Sequence, residues 1–354
     1  MLRDEKIDFF KGMLMLGVVY GHVLTALQGG SGITFAIHRF VRTYDMPMFA
    51  LISGFFLKKS CSRHTLIENL LNKMGGILLP SLIWEFIFNI VGGSFTLSTN
   101  RLWFTYALFF VSLIIIIVDR INSKWIKGLV FFLSIIIFHT IIHDPYNIGF
   151  LLAPAIVGYY MADDDVKWND RGIVQKRTVK IGIIIMFLIM QSFWKNDYNV
   201  WNVKCNIFAN EYHIYNAFVI AFRFSIGIIG ALVMSEVFDF LYQALINRDN
   251  ESKSLSNWIC SVGTQTLELY ILQSWLISIA GVKFVNIISG IMGYNPFTVN
   301  SSLLLVVFGP IVTIVTIFFM QLIARLLAKI PVIGKYCFNI PLNKMFIKLK
   351  MKSM

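Results

Sequence analysis

Charge is what this 354-residue chain has least of: 14% of its residues are Asp, Glu, Lys or Arg, against 57% hydrophobic ones. Soluble domains run nearer a quarter charged, so the composition excludes an ordinary water-exposed fold and indicates a membrane protein. The mean hydropathy of +0.70 agrees. Cysteine is scarce and scattered: Cys61, Cys205, Cys260 and Cys337 form no CxxC pair and have no His nearby at ligand spacing. Neither a disulfide framework nor a zinc site is implied. Acidic residues are few, leaving a net charge of +12, but no K/R-rich block or RNA-binding aromatic pattern stands out. A nucleic-acid partner is not expected, because the basic residues sit in loops between apolar runs, as orientation signals do. Internal repeats, low-complexity segments and paired Gly/Pro-broken helices are all missing, which argues against an inverted-repeat transporter. The opening "MLRDEKID" is charged and no small-residue cleavage site follows the next run, so that run reads as a spanning helix rather than a signal peptide.

Long hydrophobic runs are what the chain does have. A bilayer core takes about 20 apolar residues per helix. That rule marks spans near 9–28, 35–57, 69–92, 102–119, 125–142, 146–162, 179–195, 212–242, 262–290 and 301–328. The expected fold is therefore an all-α integral membrane protein of about ten transmembrane helices. Loops such as "KKSCSRHTLIENLLNK", "DRINSKWIK" and "VKWNDRGIVQKRTVK" alternate correctly to lie on one side, while "QGGSGITFAI" and "GGSFTLSTN" hold few Lys or Arg. The bias puts both termini in the cytoplasm. Residues 1–330 read as one polytopic domain and 331–354 as a basic cytoplasmic tail suited to a membrane surface.

The first span, "DFFKGMLMLGVVYGH", keeps a lysine near its start and a histidine near its end. Lys11 and His22 are eleven residues apart, so they differ by about 20° around a helix and lie about 16 Å apart along it. They share one face. Lys11 can snorkel to headgroups or pair with Asp8, and His22 can bond a carbonyl, but intramembrane ionisable residues on one face are a functional sign. Gly17 and Gly21 thin the helix beside His22, letting a substrate or another helix approach.

Further stretches complete a pattern: "MPMFALISGFFLKK" from Met46, "LLPSLIWE" from Leu78, "LWFTYALFF" from Leu102 and "LELYILQSWLI" from Leu267. With Lys11 and His22, these resemble, in order and spacing, the membrane-bound acyltransferase family 3, bacterial enzymes that move acyl groups onto carbohydrates. That family carries Arg or Lys, ten intervening residues, then His on its first helix. The resemblance implies an O-acyltransferase in the bacterial cytoplasmic membrane. It would carry an acetyl or similar acyl group from cytoplasmic acyl-CoA, a co-substrate rather than a bound cofactor, to a glycan or lipid-linked saccharide outside. His22 would be the base and Lys11 a donor contact. Two positions depart from the family: Asp45 and Gln273 stand where many members have His. Asp45 can keep an acid/base or hydrogen-bonding role; Gln273 can bond but cannot titrate near neutral pH.

Other residues are acceptor-side or supporting candidates. In "HRFVRTYDMP", Arg39 and Arg42 suit a glycan or lipid-linked phosphate, and Arg42 can instead pair with Asp45. Arg101 joins them or anchors the interface. Glu85, inside the third span, can orient His22 or an arginine. Arg223 contacts substrate or makes a salt bridge to Glu85 or Glu268. Trp103 offers a sugar-stacking surface or belongs to an interfacial belt. His139 and His143 stand four apart beside Asp144 with no third ligand, so no metal site is expected. The competing function is a transporter or flippase for a polysaccharide precursor, which the Arg-rich second helix motivates. A non-catalytic membrane scaffold is a third reading.

Overall fold

The computed structural model describes residues 4–27, 36–91, 101–141, 144–162, 177–195, 198, 214–247, 250–295, 307–330, 338 and 342. Every regular element among them is helical. In chain order these are α1 (Glu5–Leu27), α2 (Ala36–Cys61), α3 (Leu66–Lys73), α4 (Leu79–Val91), α5 (Trp103–Val118), α6 (Lys124–Thr140), α7 (Ile148–Met161), α8 (Arg177–Ser192), α9 (Ile214–Ile246), α10 (Asn250–Thr264), α11 (Thr266–Trp275), α12 (Val282–Met292) and α13 (Gly309–Lys329). Among the described residues, four helical stretches are long and apolar enough to cross a membrane: Glu5–Leu27, Leu66–Val91, Ile214–Ile246 and Gly309–Lys329. Shorter apolar helices accompany them, as in a multi-pass membrane protein.

The outer surfaces bear this out. On α13, Ile311, Ile314, Val315, Phe318, Leu322 and Leu326 are exposed, while Thr313, Ile317, Met320, Gln321 and Ala324 are buried. Both sets recur at helical spacing, so one stripe packs inward and the other is apolar at the surface. On α8, Ile181, Ile184, Ile185, Leu188 and Ile189 are exposed in the same way. Contiguous apolar stripes of this size suit lipid, not water.

The chain divides into two compact units. One comprises Met1–Asp45, Pro80–Leu102 and Ser235–Asn339; the other comprises Met46–Leu79, Trp103–Met234 and Ile340–Met354.

In the first unit α1 is the core. Phe9, Phe10, Leu14, Met15, Val19, Val23 and Leu24 are almost fully buried on all sides of it. α10 crosses it closely: a methyl group added at Gly12 would overlap the Ile259 carbonyl, and one at Gly263 would overlap the Asp8 carbonyl. Small residues let two backbones approach this far, and close packing drives helix association in lipid. After Gly263 the chain turns at Gln265 and runs parallel to α1 through α11, a π-helical segment (Leu276–Gly281) and α12. A Cβ on Gly281 would lie 3.6 Å from Ala26, and Asn295 donates to the Leu27 carbonyl at 2.8 Å, satisfying one orphan acceptor at the end of α1. Polar side chains tie α10 to α13. Trp258 donates to Gln321 at 3.2 Å, and Gln321 donates to Ser261 and Gln265 at 3.1 and 3.0 Å.

In the second unit α2 and α7 form an equivalent close pair. Gly54 sits against the Ala155 carbonyl and Gly158 against the Leu51 carbonyl, a pairing that runs antiparallel. At one end of that pair Asp119 lies between Lys58 and Lys127, at 3.4 and 3.7 Å, and accepts from the Tyr159 hydroxyl.

Two expected spans differ in detail. The third is a composite of α3, a π-helical segment (Met74–Leu78) and α4. Pro80 cannot accommodate a regular turn before it, and a π segment opens that turn. The ninth is broken into α11, the π segment and α12, and it is preceded by α10, whose sequence "NESKSLSNWICSVGT" is too polar to mark as a span.

Candidate active site

Position along α1 is the frame for the site. On a helix, Asp8, Gly12 and Ala26 point within the same arc of about 100° as Lys11 and His22. Asp8 and Gly12 meet α10, and Ala26 meets Gly281. The face carrying Lys11 and His22 is thus the one against which the late segment runs. Gly263 lies level with Asp8 and Gly281 with Ala26, so the segment that joins them runs alongside α1 between those levels. Counting back from Gly281 by helical rise, Gln273 falls near Val18 and Glu268 nearer Met13, both between the levels of Lys11 and His22.

Lys11 pairs with Asp8, one turn back, at 3.9 Å; the Asp8 side chain is only 10% exposed. Lys6, also buried, pairs with Asp239 of α9 at 2.6 Å and lies over the Phe10 ring. The first turns of α1 therefore carry a partly buried ionic layer, and Lys11 is the farthest of its cations along the helix. His22 is half-buried about a turn and a half beyond Gly17. Gly17 admits a helix: a Cβ there would lie 3.2 Å from Val41 of α2.

That contact also sets the depth of Asp45. Tyr44 packs on Phe238, a ring that Phe10 also meets, so α2 descends antiparallel to α1. Asp45, one turn past Val41, is 3% exposed and falls toward the Lys11 end of the segment rather than outside His22. The two positions where the family pattern usually has His, Asp45 and Gln273, are thus both buried at depths bracketed by Lys11 and His22.

Other expected site residues fall elsewhere. Arg42 is exposed on α2, and the side chain of Arg39 lies outside the described residues, as does all of His143. Glu85 is fully buried, and its Oε1 accepts the backbone N–H of the exposed Arg101 at 3.3 Å. Its Oε2 has no hydrogen-bond partner among the described residues. A buried carboxylate oxygen without a donor is costly to the folded state.

Trp103 and Arg223 belong to the second unit. Trp103 stands edge-on to Phe104 at the start of α5. Arg223 is 6% exposed, with its guanidinium 4.2 Å from the Trp194 ring and 5.3 Å from the Phe150 ring. Flat cations stack well on aromatic faces. Near it, His139 approaches Asp144 at 3.6 Å, and Asp144 accepts the Gly149 and Phe150 N–H groups at the start of α7. Asp144 acts there as a helix cap.

Sequence reasoning missed α10. Its signal was present: Trp258, Ser261 and Gln265 recur on one helical face, and Gln321 interrupts an otherwise apolar run. A polar helix laid on a membrane helix lacks the uniform hydropathy that marks a span.

A family model for an acyltransferase domain, acyltransferase family 3, matches residues 4–325, from the first turn of α1 into α13. Neither a curated protein nor a solved structure matches the chain.

Proposed function

Because the chain belongs to the acyltransferase 3 family, as the match over residues 4–325 shows, we propose that it is an O-acyltransferase. In this reading it moves an acetyl or similar acyl group from cytoplasmic acyl-CoA to a hydroxyl of a surface or exported glycan. It crosses the bacterial cytoplasmic membrane ten times, with both termini inside. The observation that carries the reading is the single face of α1 that holds a half-buried His22 three turns from Lys11, lined by a late helix with buried polar residues.

The chemistry follows from those residue types. The His22 imidazole takes the proton of the acceptor hydroxyl, since an imidazole titrates near neutral pH. The hydroxyl oxygen attacks the thioester carbonyl, forming a C–O bond and an oxyanion. Collapse breaks the C–S bond, and the imidazolium returns its proton to the departing thiolate. Lys11 suits a phosphate or thioester oxygen at the donor end, as a point charge facing into the segment. The donor arm spans the about 16 Å between the two along α1. Transfer through an acyl-imidazole on His22 uses the same groups in two steps, and trapping a labelled protein separates the routes.

The test is mass spectrometry of surface glycans from cells making the wild-type chain or His22→Ala at equal protein levels. An acyl mass present with the first and absent with the second supports the proposal. Identical glycans in both, with purified protein inert toward labelled acetyl-CoA and that glycan, would falsify it. A flippase would move its saccharide without acyl-CoA and regardless of His22.

A further inference from the structure

Gln273 carries an unmet chemical demand. It is 1% exposed, in the middle of α11, and neither its Oε1 nor its Nε2 has a hydrogen-bond partner among the described residues. A buried primary amide with both ends unsatisfied costs the folded protein several hydrogen bonds' worth of desolvation. An apolar side chain of the same size would avoid that cost.

Its direction follows from Gly281, which meets Ala26 of α1. Between Gln273 and Gly281 lie the end of α11 and the π segment Leu276–Gly281. The α pitch of 3.6 residues and the wider π pitch together make those eight residues about two turns, so Gln273 and Gly281 share a face. Gln273 therefore faces α1 near Val18, one turn before His22 and on the Lys11 side of it. That turn of α1 is lined by Met15, Val18 and Val19, all buried and none able to bond an amide.

Resting on the proposed acyl-CoA reaction, we propose that Gln273 recognises the amide of the donor's pantetheine arm nearest the thioester. The fit is chemical and metric. A trans secondary amide presents its N–H and C=O on opposite sides, so Gln273 meets one of them: its Oε1 accepts the N–H, or its Nε2 donates to the C=O. In the arm that amide nitrogen is four bonds from the thioester carbonyl carbon, roughly 5 Å. One helical turn from Gln273 to His22 is about 5.4 Å along α1. With the amide on Gln273, the thioester carbonyl comes level with the His22 imidazole. Gln273 thus sets how deep the donor enters.

The full-length protein in nanodiscs, wild type and Gln273→Met, is titrated with acetyl-CoA and with an acetyl-CoA analogue in which that amide is an ester. Binding is read by calorimetry and apo stability by thermal unfolding. The wild type should bind acetyl-CoA at least about tenfold more tightly than the ester analogue. Gln273→Met should bind both equally, at the weaker level, and its ligand-free unfolding temperature should be equal to or above that of the wild type. Gln273→Glu, which keeps the acceptor and loses the donor, covers the case in which the Met variant fails to fold, and should fall between the two. Wild type that binds both compounds equally tightly overturns the role of Gln273 and leaves the acyltransferase reading standing. Wild type that binds neither overturns both.

Discussion

Lys11 is a residue with two possible employers, and its partners separate them. Its ion pair with Asp8 at 3.9 Å holds the first turns of α1 together locally. Under the proposed reaction it also meets the donor. Lys11→Ala should raise the donor KM about tenfold with a smaller change in kcat, the size expected for one charge-assisted contact. Asp8→Asn removes the local ion pair and keeps Lys11, so it should leave the donor KM within about threefold of wild type; steady-state kinetics on both variants checks this. Asp144 supplies a pH signature. Burial pushes its carboxyl up to about 6, against the Gly149 and Phe150 N–H groups that favour the charged form. The folded pKa exceeds the unfolded value of 3.8, so the native state holds the proton more tightly. That contribution to stability is complete below about pH 4 and is lost as pH rises through about 6. Asp144→Asn keeps the capping oxygen without titrating, and thermal unfolding in detergent between about pH 4 and 6 should become flatter for it than for wild type.

At the scale of elements, close approach at glycine is the recurring device. Gly12 and Gly263 bring α1 and α10 into backbone contact; Gly54 and Gly158 do so for α2 and α7. Lipid offers no hydrophobic drive between helices, so the packing gained at such crossings is what holds them. Gly263→Val should cost about 2–3 kcal/mol by forcing the pair apart, and should reduce transfer because α10 leads into the segment that lines the site. Gly182 and Gly290 have nothing within 4 Å of an added Cβ. Gly182→Ala should be neutral or stabilising by up to about 1 kcal/mol, because alanine is the better helix former. Unfolding temperatures of the two variants in one detergent decide this.

At the scale of the whole molecule, each unit has its own core and its own buried charge. The first encloses α1 and most of the proposed catalytic set; the second is centred on α2 and α7 with Asp119 between two lysines. The loop bias makes a topological prediction. In a cysteine-free background, Thr96→Cys should react with a membrane-impermeant maleimide in intact cells, and Ser123→Cys only after permeabilisation. Reaction of Ser123→Cys from outside would reverse the proposed orientation.

The sequence alone determined the solvent and the class. A chain with 14% charge and long apolar runs has no stable water-exposed fold. Helix is then the form that lets each such run satisfy its own backbone in lipid. It also determined that Lys11 and His22 share a face, because that needs only the pitch of one helix. Only the tertiary structure decided what lies opposite that face. Contacts between residues 8 and 263, or 26 and 281, depend on helices meeting at glycines, which no local pattern encodes. The break at Gln265, the π turn after Trp275 and the polar α10 follow from packing rather than hydropathy. The depth of Asp45 and the unmet amide of Gln273 became visible for the same reason: burial is a property of neighbours brought together by the fold.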